Sequence, residues 1–324
     1  MLRYILLTVI VGLSLAERLT SPHFEEFMSV HGRSYESEEE HNSRYWTFYK
    51  NMLQVDLLNK LEQGSATYGM TQFSDMTTEE FKALYSRPIS EKDLFYADMM
   101  PEAEDVEEEF YNNDGVDWRT EGAVTPVKNQ GQCGSCWAFS TTGNIEGRWF
   151  IKTGDLISLS EQELVDCDKV DYGCEGGLPF QAYAEVMRLG GLVKESDYKY
   201  KGVEKKCHMD KSKVVATVTG REQVSTNEKT IAAYVAKNGP VSIGINANMM
   251  QFYEGGVAHP RKYLCKPSEL DHGVLIAGYG TDGGDPYWLV KNSWGPSWGE
   301  EGYYRVYRGD GTCGVNKMVT SAIV

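Results

Sequence analysis

Cysteine placement constrains this chain more than any other feature. All seven cysteines fall between residues 133 and 313, and none precedes them. The N-terminus has Arg3 as a positive flank, an apolar core over residues 4–15, and small residues in Ser14-Leu15-Ala16. This is the pattern of a secretory signal over residues 1–16, to be removed. The apolar run is too short to span a bilayer, so no membrane contact is expected afterwards. Secretion makes disulfides the expectation. An odd count then predicts three bridges and one thiol kept free, and spacing alone leaves the pairing open.

Charge divides the chain in the same region. The formal net charge is −15 over 324 residues, with −12 in the first 111 and −3 in the rest. No basic footprint for nucleic acid is present. The acidic run over residues 101–110 cannot build a core, and residues 111–115 are turn-rich. A solvated linker and a domain boundary are expected there, with a proteolytic nick near Asn112. The acidic groups of the front part should be held by basic groups of the second part and released by acid.

In the front part, Glu40, Arg44, Phe48, Asn51, Val55 and Asn59 share one face of a helix, and Glu40 can pair with Arg44. Gly69, Thr71, Phe73 and Asp75 alternate as one face of a short strand would. In the second part, residues 136–153 read as a helix ended by Gly154. Residues 158–164 carry the cap pattern of another helix start. Runs at 241–245, 273–279 and 287–291 read as strands between glycine-rich turns. A helical half over about 112–220 and a sheet or barrel half over about 221–324 follow.

The run Gln130-Gly131-Gln132-Cys133-Gly134-Ser135-Cys136-Trp137-Ala138-Phe139 sets a thiol at the start of the first of these helices. The positive end of the dipole favours thiolate there. Gln130, six residues earlier, supplies an amide able to donate to a developing oxyanion. A cysteine nucleophile needs a base. His23, His31 and His41 precede the linker, and His208 and His259 lie in loop-like stretches. His272, at the mouth of an apolar strand, is the best candidate. Asn292 can accept from one imidazole nitrogen and leave the other for the thiol, and Trp294 can keep water from that bond. The rival reading is a disulfide oxidoreductase using Cys133 and Cys136, formally C-x-x-C.

On the run around Cys136, the Asp271-His272-Gly273 run and the Asn292-Ser293-Trp294-Gly295 run, the chain resembles a papain-family cysteine protease precursor of the cathepsin F and L kind. The resemblance implies a two-lobed α+β fold with a helical left lobe and a β-barrel-like right lobe. It implies an inhibitory propeptide over 17–111 ahead of a peptidase domain over 112–324. Residues 40–59 resemble the family's propeptide helix motif. Residues 69–75 resemble its second motif, with Thr71 where many relatives carry asparagine, as cathepsin F-like sequences do. Val55 and Asn59 look more like the cathepsin L pattern.

By the same resemblance, Cys136, His272, Asn292 and Gln130 are catalytic, and the thiol pKa falls from about 8.5 to roughly 3.5–7.5. The implied bridges are Cys133–Cys174, Cys167–Cys207 and Cys265–Cys313, leaving Cys136 free. Gly176 and Gly177 form the cleft edge. Leu178, Pro179, Gly244, Leu270 and Met318 line a pocket for the second residue before the scissile bond. Asp271 and Trp294 complete the substrate-binding set. No metal or cofactor is implied. Expected partners are protein and peptide substrates, the chain's own propeptide and cystatin-like inhibitors. A monomer in an extracellular or lysosome-like compartment is expected. Endopeptidase action is favoured by the lack of a long insertion after residue 112. A family member without catalysis, acting as a binding protein, would lack one of the four catalytic residues, and all four are present.

Overall fold

The computed structural model describes residues 21–85, 87–104, 106 and 115–324. The signal segment, much of the acidic linker and the expected nick lie outside the described residues.

Three helices and a two-residue strand begin the described chain: α1 (Ser21–His31), α2 (Glu38–Leu61), β1 (Thr67–Tyr68) and α3 (Thr78–Tyr85). Ser37 caps α2 by accepting from the Glu40 N–H, and three glutamates fill its positive first turn. One face of α2 buries Phe48, Asn51, Val55 and Leu58. Phe48 packs on Phe24 and Phe27 of α1, with ring centroids 5.4 and 5.1 Å away.

The asparagines on this face work as main-chain mimics. Asn51 Nδ2 donates to the Ser74 and Met76 carbonyls, each at 2.8 Å. Asn59 exchanges two 2.8 Å bonds with the Tyr68 main chain. Arg44 departs from the expected Glu40 pairing. It reaches Glu80 at 2.7 Å and the Asp75 carbonyl at 3.1 Å, while Glu40 accepts from the Glu36 N–H.

The strand expected over 69–75 is also corrected. Strand structure stops at Tyr68, and residues 72–75 turn. The Thr71 and Ser74 hydroxyls take the bonds a ladder would need: Thr71 Oγ1 accepts from Phe73 N–H, and Ser74 Oγ from Thr71 N–H. The chain continues through α4 (Glu91–Asp98), with a reciprocal cap between Ser90 and Asp93.

The second part opens with β2 (Val116–Asp117), followed by α5 (Cys136–Thr153), α6 (Glu161–Cys167), α7 (Pro179–Leu189), β3 (Leu192–Val193) and β4 (Val214–Ala216). Gly154 ends α5 at φ +83°, a left-handed position suited to a residue without Cβ. Ser160 caps α6 through Glu163 N–H, but the Glu163 carboxylate turns away to the Val193 N–H at 2.8 Å. Trp137, Ile145, Leu164, Tyr183 and Val186 are buried together as the left-lobe core.

The right lobe holds β5 (Gly220–Gln223), α8 (Glu228–Asn238), β6 (Val241–Ile245), β7 (Tyr253–Gly255), β8 (Val257–Ala258), β9 (His272–Asp282), β10 (Asp285–Lys291), β11 (Tyr303–Tyr307) and β12 (Val319–Ile323). Its main sheet runs β5-β12-β6-β9-β10-β11-β8, and β2 adds to β9. A simple division near residue 220 therefore needs correcting. Val116 and Asp117 pair with Tyr279 and Gly278 of the right lobe, while Ala322 near the C-terminus packs into the left-lobe core.

The front segment docks mainly through neutral groups. Thr67 and Tyr68 pair with Gly255 and Tyr253 of β7. Gly69 N–H donates to Phe252 O at 2.8 Å, and Thr71 Oγ1 to Gln251 O at 2.6 Å. Tyr68, Phe73, Phe81 and Tyr85 join the right-lobe core that contains Trp294, Trp298 and Tyr253.

The expectation that peptidase basic groups hold the front part's acids is not met among the described residues. Its ion pairs, Arg33–Asp75 at 3.3 Å and Arg44–Glu80 at 2.7 Å, are internal. The Arg44 hydrogen bond holds the Glu80 carboxyl below its ordinary value of 4.5. Such a group stabilises the fold above that value and ceases to as pH falls through its lowered one. Acid should therefore loosen the front segment from within. Limited proteolysis of the full chain across a pH series should show protection lost below about pH 4.5. Glu80→Gln should lose part of that protection already at pH 7, and superimposable curves would refute the assignment.

Candidate active site

The two lobes meet where the first turn of α5 faces the start of β9. Cys136 is the first residue of α5, buried and the only cysteine outside a bridge. The other six form Cys133–Cys174, Cys167–Cys207 and Cys265–Cys313. Cys133 is thereby unavailable as a dithiol partner for Cys136, which removes the basis of the oxidoreductase reading. Gly273, next to His272, allows a close approach: a Cβ there would stand 3.3 Å from Trp137 Cα. Its N–H points at Cys136 Sγ from 3.5 Å.

His272 is 1 % exposed. Its Nε2 lies 2.9 Å from Asn292 Oδ1, an oxygen that also accepts from Ser293 N–H at 2.8 Å. An oxygen cannot donate, so Nε2 carries the proton and Nδ1 is left as the basic nitrogen. Nδ1 is buried without a hydrogen-bond partner. The Trp294 ring lies over the imidazole, centroids 4.9 Å apart.

Gln130 is fully buried, and two groups fix its amide. Ser293 Oγ donates to Oε1 at 2.6 Å, and Nε2 donates to Cys133 O at 2.9 Å. The second N–H of Nε2 remains for another acceptor. Sequence reasoning assigned Ser293 no role. Its position inside the Asn-Ser-Trp-Gly run was the available signal.

The front segment covers this site. Phe73, Phe81 and Tyr85 surround Trp294 with ring centroids at 5.2, 5.3 and 5.6 Å. The Tyr85 main chain favours the protonated imidazole, but burial outweighs it. Burial pushes the Cys136 thiol up to about 11, against the Gly273 and Trp137 N–H groups that favour thiolate. Burial likewise pushes His272 down to about 4. Each shift favours the neutral form, so burial in this covered state works toward a thiol and a neutral imidazole. The lowered thiol pKa expected from sequence belongs to the uncovered cleft; under the cover, desolvation works against the dipole.

The pocket residues are also brought together and filled. Leu178, Leu270 and Met318 share an apolar cluster with Phe180, and Ile89, Leu94, Ala97 and Met100 of the front part occupy it. Gly244 faces the same space, 3.0 Å from Ile89, 3.1 Å from Leu270 and 3.2 Å from Met318, measured from a constructed Cβ. Pro179 is buried at the first turn of α7, beside this cluster but not in it. Ile89 N–H donates to Leu270 O at 2.8 Å and Arg87 N–H to Asp271 O at 2.6 Å. The Asp271 carboxylate accepts from Ala247 N–H. Arg87 lies against Gly176 with its guanidinium 4.6 Å over the Tyr172 ring. Gly177 abuts the Trp137 ring and Asp171, leaving no room for a side chain. Phe180 and Tyr172 were missed from sequence, since an isolated aromatic carries no pocket signal.

Residues 112–323 match the papain family cysteine protease profile, and residues 24–81 match the cathepsin propeptide inhibitor domain (I29). The chain belongs to the papain family of cysteine proteases. It is 49% identical to mouse (Mus musculus) cathepsin F over 308 residues, covering 94% of this chain and 65% of that protein. Cathepsin F of Drosophila melanogaster is 48% identical over 312 residues, covering 93% and 50%. The chain thus spans about half to two thirds of these relatives. Procathepsin L2 from the larval midgut of Tenebrio molitor superposes with a TM-score of 0.85 at 35% identity, covering 94% of this chain and 99% of that one. The stem bromelain precursor gives 0.83 at 35%, covering 94% and 98%.

The covered pair has a chemical consequence. Near pH 7, alkylation of Cys136 by iodoacetamide in the full chain should be roughly 100-fold slower than that of a free cysteine, and it should accelerate on maturation. Equal rates before and after maturation would overturn the neutral-pair assignment.

Proposed function

We propose that this chain is a cysteine endopeptidase made as an inactive zymogen. The observation that carries this reading is the lone free thiol at the helix start, beside an imidazole whose far nitrogen is bound by Asn292. Once the front segment leaves, water returns and the charged pair is restored: Cys136 as thiolate and His272 protonated at Nδ1. Cys136 Sγ attacks a peptide carbonyl. The Cys136 N–H and the Gln130 amide hold the tetrahedral oxyanion. His272 passes its Nδ1 proton to the departing amine, and water then hydrolyses the thioester. Asn292 fixes the tautomer and Trp294 shields that bond.

Substrate binding follows from the same surfaces. Gly176 and Gly177 would admit an extended peptide backbone, and Asp271 O would accept from it. Leu178, Pro179, Gly244, Leu270 and Met318 would select a hydrophobic residue second before the scissile bond. The propeptide passes Trp294 first, at Tyr85, and this pocket later, at Ile89. A substrate would pass in the opposite order. This reversed course supports inhibition without cleavage, because the peptide bond near Cys136 is presented backwards.

A secreted or lysosome-like destination is supported by the signal-like N-terminus and three disulfides. Among the described residues no helix is long and apolar enough to cross a membrane. The cleft is built within one chain, which suits a monomer, and cystatin-like proteins would compete for the space the propeptide fills. We place the propeptide–peptidase junction at about residues 111–112.

A fluorogenic peptide panel at acidic pH tests the reading. The matured protein should cleave peptides with a hydrophobic second residue, and a thiol-directed epoxide should stop it. Cys136→Ser should abolish turnover, and Gln130→Ala should lower it about 100- to 1,000-fold. Hydrolysis surviving in Cys136→Ser would end the proposal.

A further inference from the structure

Behind the oxyanion donors stands a phenol for which the chemistry above has no use. Tyr200 Oη donates to the Gln130 main-chain carbonyl at 2.8 Å. The same oxygen lies 2.6 Å from Ser135 Oγ. A phenol has one proton, and Gln130 takes it, so Ser135 is the donor in the second bond. The alternative acceptor for Ser135, the Cys133 carbonyl, lies at a weaker 3.4 Å. The result is a directed chain from Ser135 O–H through Tyr200 O–H to Gln130 C=O.

Each end of this chain holds one donor of the oxyanion hole. Gln130 carries the side-chain amide. Ser135 immediately precedes Cys136, and the peptide unit joining them contains the Cys136 N–H. Ser135 sits at the cap position of α5, yet its side chain makes no cap bond. That fully buried hydroxyl serves Tyr200 instead. The Gln130 main chain is pinned on both sides, by Ser293 O on its N–H at 2.8 Å and by Tyr200 on its carbonyl. Tyr200 itself is held by an edge contact with Phe139, centroids 4.9 Å apart, and by a 2.8 Å bond from its N–H to Glu195.

We propose that Tyr200 is a positioning residue for the reaction, setting the separation of the Gln130 amide and the Cys136 N–H. Losing its hydroxyl frees the Gln130 carbonyl and Ser135 to take water as partner, and the loop between them relaxes. The inference rests on the oxyanion role proposed for Gln130. Errors of about 1 Å in such a constellation lower rates up to 100-fold, and one neutral hydrogen bond corresponds to a few-fold.

The test uses Tyr200→Phe, Ser135→Ala, Gln130→Ala and the Tyr200→Phe/Gln130→Ala pair. Each is produced as the full chain, matured by an added protease, and counted by titration with a thiol-directed epoxide. Per titrated site, Tyr200→Phe should lower kcat roughly 5- to 10-fold, leaving KM and both limbs of the pH profile in place. Ser135→Ala should lower kcat about 2- to 5-fold, and it decides the matter if Tyr200→Phe yields no titratable sites. Added to Gln130→Ala, Tyr200→Phe should cost under about 2-fold, since the donor it positions is already gone. A per-site kcat equal to the parent in Tyr200→Phe, or in Ser135→Ala where that variant decides, would overturn the proposal. So would full multiplication of the losses in the pair. An unchanged kcat in Gln130→Ala would overturn the oxyanion role itself, and this inference with it.

Discussion

The chemistry of this protein depends on one meeting of lobes, where the first turn of α5 touches the first residues of β9. The sulfur comes from one side and the imidazole from the other, and neither lobe is competent alone. Gly273 permits the approach and contributes an N–H toward the sulfur. The seam is reinforced by polar groups that cross it. Asn144 of α5 binds Pro240 O and the β12 main chain, and Tyr183 of α7 binds Ser242. Each group is buried and would be costly to leave unpartnered, so the lobes are held in one relation.

The covering segment separates two tasks that the charge distribution suggested were one. Attachment to the peptidase part uses strand pairing, amide bonds and aromatic packing on Trp294. Internal cohesion uses Arg33, Asp75, Arg44 and Glu80. Acid acts on the second set through Glu80, whereas most of the first set carries no charge. In the proposed zymogen, inhibition would then be lost by loosening the cover rather than by repelling it. While the cover is in place, the same packing that fills the cleft also favours the neutral sulfur and ring, so in the proposed zymogen exclusion of substrate and suppression of the nucleophile would share one physical cause.

Much of this was legible in the sequence where short motifs carry local chemistry. The thiol at the start of α5 and the Gly154 stop depend on neighbours a few residues apart, and Asn292 lies only 20 residues from the His272 it bonds. The strand read into residues 69–75 failed because alternation describes side chains, while Thr71 and Ser74 hydroxyls redirect the backbone. The Glu40–Arg44 pair failed because Glu80, distant in sequence, lies nearer in space. The upward push of the cover on the thiol was not visible, because desolvation by a distant segment cannot be seen from the helix that carries the sulfur. Tyr200 and Phe180 were invisible for a related reason: Tyr200 meets Ser135 and Gln130, 65 and 70 positions away, and Phe180 meets Leu270 and Met318, 90 and 138 positions away.

The pairing of β1 with β7 has a later consequence. When the propeptide departs, Tyr253–Gly255 loses its neighbouring strand, and the aromatic platform at Trp294 loses three rings at once. Freed of its cover, the second part would carry an unpaired main-chain segment at Tyr253–Gly255 beside an apolar face, a combination that invites unwanted self-association. In the proposed zymogen, release of the cover would also create a surface needing a new occupant, which would tie the lifetime of the mature form to how quickly substrate or an inhibitor arrives.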